Sequence, residues 1–506
     1  MSLDPELKAK FPSLFLLSFS TFFVCVPAAF TQVISFDLMF ELNAFPSTLY
    51  AWTFPAFVAG ECASMALCAC LIDRWGRKQP YLLGSVIFVV FTMLCALCTR
   101  MDVFVALRAF QGFGAGFVII TCIAQIYFDV PNKKFRYTAN GIMSLGFGLG
   151  MLAGIFAGRA AVDTIGWQPV FWALAFLQAL ITRPAMDILA HGETSTMKAD
   201  IPGAIVLSVW AGFFVYFLQK ISAEWSPYSI EAMGGYMLIL VLFLLFLFIE
   251  VKNPHSVFHR KLHGGRLMVG SMIFIILLGA IDMGAVGCMV KIALFTYQMS
   301  VLEAAPFFII MVLGAATTAI AISEKIDETG HLPWLLLSAV LSPIALVSML
   351  LVKPEDPSFM FALHLFLLGL AIGCLVSMLN ATIQNRTNHD NNGAYISFAI
   401  MYRTVALWLG YNFYTLITNV YMKDKIGATI DYWNSVLPVS LPSDTGLANL
   451  LVTPLRDVIM MIPGLDLDIA NIFADGAAVA LIAGAAIFAV VAIPTALLLV
   501  GREKTL

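Results

Sequence analysis

Long apolar runs, separated by short polar or Gly/Pro-marked breaks, repeat along the whole of this 506-residue chain. A bilayer core of roughly 30 Å is crossed by about 20 apolar residues in a helix. Fourteen runs reach that length, near 14–36, 47–71, 80–98, 102–128, 138–162, 168–186, 201–221, 234–251, 267–295, 301–321, 332–352, 358–382, 393–420 and 476–500. They are too long and too evenly apolar for the short alternating strands of a membrane β-barrel. The pattern predicts an all-α polytopic membrane protein, with its least regular span at 168–186, where Arg183 and Pro184 interrupt the end.

The runs group as six, two and six. The polar stretch His191 to Asp200 and the break from Glu250 to Arg266 set the divisions, giving a first bundle over 1–190, two inserted helices over 191–263 and a second bundle over 264–506. The second bundle carries one long outer loop, 421–475, expected to pack as short helices on the outer face. Composition agrees with the pattern: 60% of residues are hydrophobic and 12% charged, far from a soluble domain. The net charge of −3 is small and dispersed, which argues against a nucleic-acid partner. Asp4 and Glu6 ahead of a long first run argue against a cleavable signal peptide. All nine cysteines fall within the runs and are read as small buried thiols, Cys95 and Cys98 included.

The densest charge group between two runs is Asp73-Arg74-Trp75-Gly76-Arg77-Lys78, which must lie in water or pair tightly. Its spacing resembles motif A, a cytoplasmic loop signature of the major facilitator superfamily. The stretch Lys325-Ile-Asp-Glu-Thr-Gly330 echoes it between runs ten and eleven, as duplicated halves would. In run four, Arg108, Gln111, Gly112 and Gly114 resemble motif B of proton-coupled facilitators. In run five, Gly146, Gly150, Gly154 and Gly158 resemble the glycine-rich antiporter motif C, with Ile155 where a proline is usual and Arg159 where a glycine is usual. Trp52, Asp200-Ile-Pro-Gly203, Pro254 to Arg266 and Arg403 also sit as in the fourteen-span drug:proton antiporter branch. The chain departs from that branch at Ala69, where glycine is usual, and in lacking an aspartate within run one. The resemblance implies the major facilitator fold, 14 transmembrane helices arranged 6+2+6, working by alternating access.

Basic residues indicate orientation. If the amino terminus is cytoplasmic, Lys8, Lys10, Arg74, Arg77, Lys78, Lys133, Lys134, Arg136 and others lie inside, and outnumber Arg100, Lys220, Lys353, Lys423, Lys425 and Arg456 outside. Both termini are therefore expected in the cytoplasm, with the protein in the inner (cell) membrane.

Ionisable groups inside spans are the sharpest site candidates, because an isolated charge at mid-bilayer costs on the order of 3 kcal/mol. Asp282 and Glu61 are the candidates for proton or substrate coupling, with Arg108 and Arg403 as cationic partners; Asp282 could instead pair structurally with either arginine. A buried carboxylate is costly while ionised, which suits it to proton exchange as access alternates. Lys291, nine residues from Asp282, is out of phase with it on a helix. Arg159 and Glu303, near span ends, read as structural. Asp73, Arg74, Gly76, Arg77 and Lys78, with Asp129 as a partner for Arg74 or Arg77, form a candidate cytoplasmic gate. The four glycines of run five form a helix-packing face. His255, His259 and His263 sit in a basic loop with no completing ligand, so no metal site is expected. His364 is a further candidate on the proton path.

No phosphate-binding loop or nucleophile–base pair accompanies the spans, so neither an enzyme nor a cofactor is expected. The function expected is gradient-driven transport, namely proton-coupled efflux of a small amphipathic organic compound by a monomer in the lipid bilayer. The alternatives are a uniporter or proton symporter importing a nutrient or organic anion and, more distantly, a membrane enzyme or signalling scaffold.

Overall fold

The computed structural model describes residues 5–44, 48–189, 200–223, 225–253, 265–297, 299–351, 358–387, 392–436 and 465–500. The histidine loop and much of the outer loop lie outside the described residues, as do the boundaries near 190 and 263 and the side chain of Asp73.

The described elements are helices. In the first half they are α1 (Pro5–Val33), the short α2 (Ser35–Glu41), α3 (Thr53–Trp75), α4 (Lys78–Ala96), α5 (Met101–Asp129), α6 (Phe135–Ile165) and α7 (Gln168–Ile188). Two further helices follow, α8 (Ile201–Ala223) and α9 (Ile230–Lys252). The second half holds α10 (Gly265–Leu277), a π turn (Leu278–Met283), α11 (Gly284–Phe295), α12 (Val301–Thr329), α13 (Leu332–Ser348), α14 (Ser358–Arg386), α15 (Asn392–Val436) and α16 (Leu465–Thr495).

By length and composition 12 of the described helical stretches are apolar enough to cross a membrane, α10, the π turn and α11 together making one of them. The other two expected runs differ for identifiable reasons. Leu332–Ser348 is apolar but short. The 45-residue α15 carries Arg403, Tyr411, Asn412 and Thr415, cavity-wall residues that dilute its apolar character.

The two halves pack by the same scheme. In the first, α1 lies on α6, α3 on α5, and α4 on both α5 and α7; in the second, the π turn and α11 lie on α15, α12 on α14, and α13 on both α14 and α16. The halves meet where α3 crosses α15 and where α6 crosses α12 and α14. The pair α8 and α9 stands to one side, α8 against α3 and α15, and α9 against α8. The start of α8 is held by Asp200, whose Oδ1 accepts the Gly203 amide at 3.0 Å and the Asn253 amide at 2.8 Å.

The two hinge sequences also correspond in geometry. Gly76 ends α3 at φ 73°, and Gly330 ends α12 at φ 70°. This left-handed conformation favours glycine and lets the chain reverse within one residue. His331 thus occupies in the second half the place of Arg77 in the first.

Bundle packing depends on backbone contact. The glycine face of α6 lies on α1, Gly146 against Ser18, Gly150 against Phe22, Gly154 against Val26 and Gly158 against the Phe30 ring. With Ile155 in place of a proline, α6 runs unbroken for 31 residues. Gly112 meets the Phe57 carbonyl on α3, and Gly114 meets Phe88 and Gly84 on α4. By contrast, a side chain at Gly234 on α9 would enter open space. Replacing Gly154 by Val should therefore destabilise the protein by about 1–3 kcal/mol through overpacking, while Gly234→Ala should not. Thermal unfolding of both purified variants checks this; equal melting temperatures would contradict the packing role.

Candidate substrate cavity

Between the halves lies a cavity of about 1530 Å³. Its walls come from α1, α3 and α6 on one side and α11, α12, α14 and α15 on the other. Most of the lining is apolar or aromatic, as expected of a site for lipophilic organic molecules.

Two charged groups from opposite halves approach one another beside it. Arg403 on α15 reaches the cavity wall and lies over the Phe147 ring at 5.7 Å. Glu61 on α3 is buried, and its Oε1 has no hydrogen-bond partner among the described residues. Glu61 and Arg403 act on one another electrostatically but are not in ion-pair contact within 4.0 Å. Such a carboxylate, close to a cation yet not locked to it, retains the freedom to exchange a proton.

Arg108 is a different case. Fully buried in the first half, it donates from Nε to the Thr53 carbonyl (3.0 Å), from Nη2 to the Pro27 carbonyl (3.0 Å) and Thr31 Oγ1 (2.8 Å), and from Nη1 to Gln111. Gln111 passes the chain of bonds to Thr92 on α4 at 2.7 Å, and the guanidinium lies over the Phe57 ring at 4.5 Å. Motif B thereby joins α1, α3, α4 and α5, and its arginine does not line the cavity.

Asp282 lies in the π turn and is also outside the cavity wall. Its Oδ2 accepts a hydrogen bond from Ser342 on α13 at 3.1 Å, while Oδ1 has no partner among the described residues. The alternative pairing with Arg108 or Arg403 is not formed among the described residues, and the carboxylate faces Ser342 of the second half instead. Lys291, as its phase implied, points elsewhere and reaches the cavity.

At the end of the molecule bearing Asp73–Lys78, the halves are bonded together. Arg136 donates to the Gln384 carbonyl (3.2 Å) and Asn385 Oδ1 (3.1 Å), Asn140 to Gln384 Oε1 (2.7 Å), and Asn385 to the Lys133 carbonyl (3.2 Å). Tyr137 bonds His331 at 3.1 Å, and Lys134 lies 3.7 Å from Asp327. Of the expected gate residues, Arg77 is buried with its guanidinium 3.3 Å from the centre of the Phe128 ring, Asp129 accepts from Gln125 at 3.1 Å, and Arg74 is exposed. Sequence reasoning missed Arg136, Tyr137, Asn140, Gln384 and Asn385. Their one visible signal is polar side chains clustered just inside the ends of apolar runs.

Residues 13–189 match the Major Facilitator Superfamily. Over 397 residues the chain is 23% identical to Multidrug resistance protein 3 of Bacillus subtilis (strain 168), covering 76% of this chain and 75% of that one. It is 26% identical over 342 residues to the Methylenomycin A resistance protein of the same organism, covering 66% and 71%. In fold it is similar to a bacterial homologue of the human lysosomal transporter Spinster in its inward-facing, unoccupied conformation, with a TM-score of 0.57, 15% identity and coverage of 98% and 97%. Over residues 13–189 the chain is thus similar to the Major Facilitator Superfamily, and its helical fold is like that of the solved transporter. The cavity lies between two like halves, and the bonds at the hinge end are what must break if the halves move apart there.

Two predictions follow from these contacts. Replacing Arg108 by Gln removes charge-assisted bonds that bind four helices and should destabilise the fold by on the order of 3 kcal/mol; Lys should not restore it, since a point charge cannot reach the same acceptors. Thermal unfolding decides, and an unchanged melting temperature would remove the structural role. The second concerns His331, whose imidazole is pushed down from 6.5 to about 4 by burial and then by Arg386. Its other charged or titratable neighbours at this end are Tyr137, Lys134 and Asp327. Closure at this end is therefore fully favoured above about pH 6.5 and is weakened as pH falls from there toward about 4. Pulsed EPR distances between labels at positions 133 and 328 should lengthen on acidification in the native protein and respond less in His331→Gln.

Proposed function

We propose that this protein is a transporter of the Major Facilitator Superfamily that exports small amphipathic organic compounds in exchange for protons, with Glu61 as the proton-exchanging group and Arg403 as its counter-charge across the two halves. The observation that carries this reading is the Glu61 carboxylate, buried on α3 with Oε1 unpartnered and within the field of Arg403 on α15, beside the cavity. Protonating Glu61 would release Arg403, and ionising it would draw the halves together, so proton occupancy is tied to the interface that rocking must change. The names of the Bacillus subtilis relatives, both resistance proteins, support the outward direction.

The same reading assigns the fourteen-span 6+2+6 arrangement, α13 and α15 supplying the spans that length and composition alone leave out. It also assigns bundles over 1–190 and 264–506 with the inserted pair between, both termini in the cytoplasm of the inner membrane, and a monomer as the working unit. Asp73, Arg74, Gly76, Arg77, Lys78 and Asp129 would then stand at the cytoplasmic gate. The shared packing scheme of the two halves and the matched turns at Gly76 and Gly330 support the duplication. Asp282, enclosed beside Ser342 and away from the cavity, ranks second to Glu61 for the proton.

Purified protein in vesicles, screened with a panel of amphipathic drug-like compounds, tests the reading. Antiport predicts accumulation into acid-inside vesicles, and Glu61→Gln should cut that driven uptake about tenfold or more while leaving substrate exchange without a gradient. Full gradient-driven uptake in Glu61→Gln would remove it from coupling, and uptake driven only by acid outside would make the protein a symporter.

A further inference from the structure

The cavity holds a cation to which no role has been given. Lys291, on α11, is half-buried in the wall, and its ammonium is near only neutral groups: Thr415 Oγ1 at 3.4 Å and the face of the Tyr411 ring at 5.4 Å. Among the described residues no carboxylate lies within ion-pair distance of it. The other charges on the wall are accounted for. Arg159 is bound to Asp37 (2.8 Å) and Asp163 (2.6 Å), Lys134 lies by Asp327 (3.7 Å), and Arg403 has Glu61 behind it. Glu324, the remaining wall carboxylate, is near the hinge end of α12, far along the molecule from Lys291.

An ammonium kept within a membrane span without a counter-ion is costly, so the protein gains nothing from it unless something else supplies the negative charge. The groups around it suit that supply. Gln32 on α1 donates to the Tyr411 hydroxyl at 3.4 Å, so the Tyr411 oxygen is used as an acceptor and its proton is left to donate. Beyond Tyr411, α15 presents a stack of rings, Tyr411 on Trp408 with centroids 5.3 Å apart and planes at 18°, and Trp408 beside Phe54 at 5.5 Å. Arg403, on the same helix, also reaches the cavity wall.

We propose that Lys291, Tyr411, Gln32 and Thr415 form an anion subsite in the cavity, which takes the carboxylate or sulfonate of an aromatic organic anion while the ring body lies against the accessible side of Tyr411 and the apolar cavity wall. This rests on the cavity being the transport route and narrows the cargo to a negatively charged amphipath. Lys291 supplies the charge, the Tyr411 and Gln32 donors fix the head group, and the Tyr411 ring with the apolar wall supplies contact area. Because Gln32 belongs to the first half and the other three to the second, a bound anion also bridges the halves away from the hinge end.

Naphthalene-2-sulfonate and the similar-sized cation naphthalen-2-yl-trimethylammonium, titrated calorimetrically against the purified full-length protein, test the proposal. The native protein should prefer the sulfonate. Lys291→Gln should weaken its binding by about tenfold or more, Lys291→Arg should keep it within a few-fold, and Thr415→Val should cause a smaller loss. Equal or reversed charge preference, no sulfonate binding, or undiminished binding in a folded Lys291→Gln would overturn it. The native protein's charge preference alone decides the matter if Lys291→Gln does not fold. The measurement is made at equilibrium without a gradient, so a failure here leaves proton-coupled transport of other cargo standing. Loss of coupling in Glu61→Gln, in turn, leaves the subsite untouched.

Discussion

Inside a bilayer, a polar group has no water to fall back on, and the architecture of this protein is organised around that scarcity. Arg108 illustrates the satisfied case. Its guanidinium is shared among carbonyl, hydroxyl and amide oxygens from several helices, and the charge becomes a fastener of the first half. Glu61, Asp282 and Lys291 are incompletely answered, each in a different manner. Among the described residues, Glu61 has a cation near but not in contact, Asp282 has one hydroxyl for two oxygens, and Lys291 has neutral neighbours alone. Fastening and function are thus separated by how fully each charge is met.

Rocking of two halves requires that each half move as a body. Close backbone approach along α1 and α6, α3 and α5, and α12 and α14 provides this, because helices in glycine-mediated contact cannot shear without losing many small dispersion contacts together. Between the halves the bonding is of another kind. It consists mostly of single hydrogen bonds at one end and a cavity in the middle, so the weakest surfaces are those that transport needs to part.

Much of this was legible in the sequence, and the remainder was hidden for physical reasons. Apolar run length announced the helices, and the repeat of Asp73 and Gly76 at Asp327 and Gly330 announced two related halves, since a chain reversal after a helix imposes its glycine locally. Charges within apolar runs flagged Glu61, Arg108, Asp282 and Arg403. What the sequence could not express was who faces whom. Arg108 and Glu61 look equally buried in their runs, yet one is enclosed by its own half and the other lies opposite α15. The π turn at Leu278–Met283, which carries Asp282, was likewise not legible in the sequence.

The contacts at the hinge end have a consequence for solution conditions. Arg136, Asn140 and Asn385 bond to neutral carbonyl and amide oxygens, and Tyr137 to an imidazole held uncharged; Lys134 and Asp327 form a partly exposed ion pair between the halves at 3.7 Å. Ionic strength weakens attraction between exposed charges and leaves short bonds to neutral groups almost untouched. The grip of these hydrogen bonds is therefore nearly salt-independent and is the same in dilute and concentrated media.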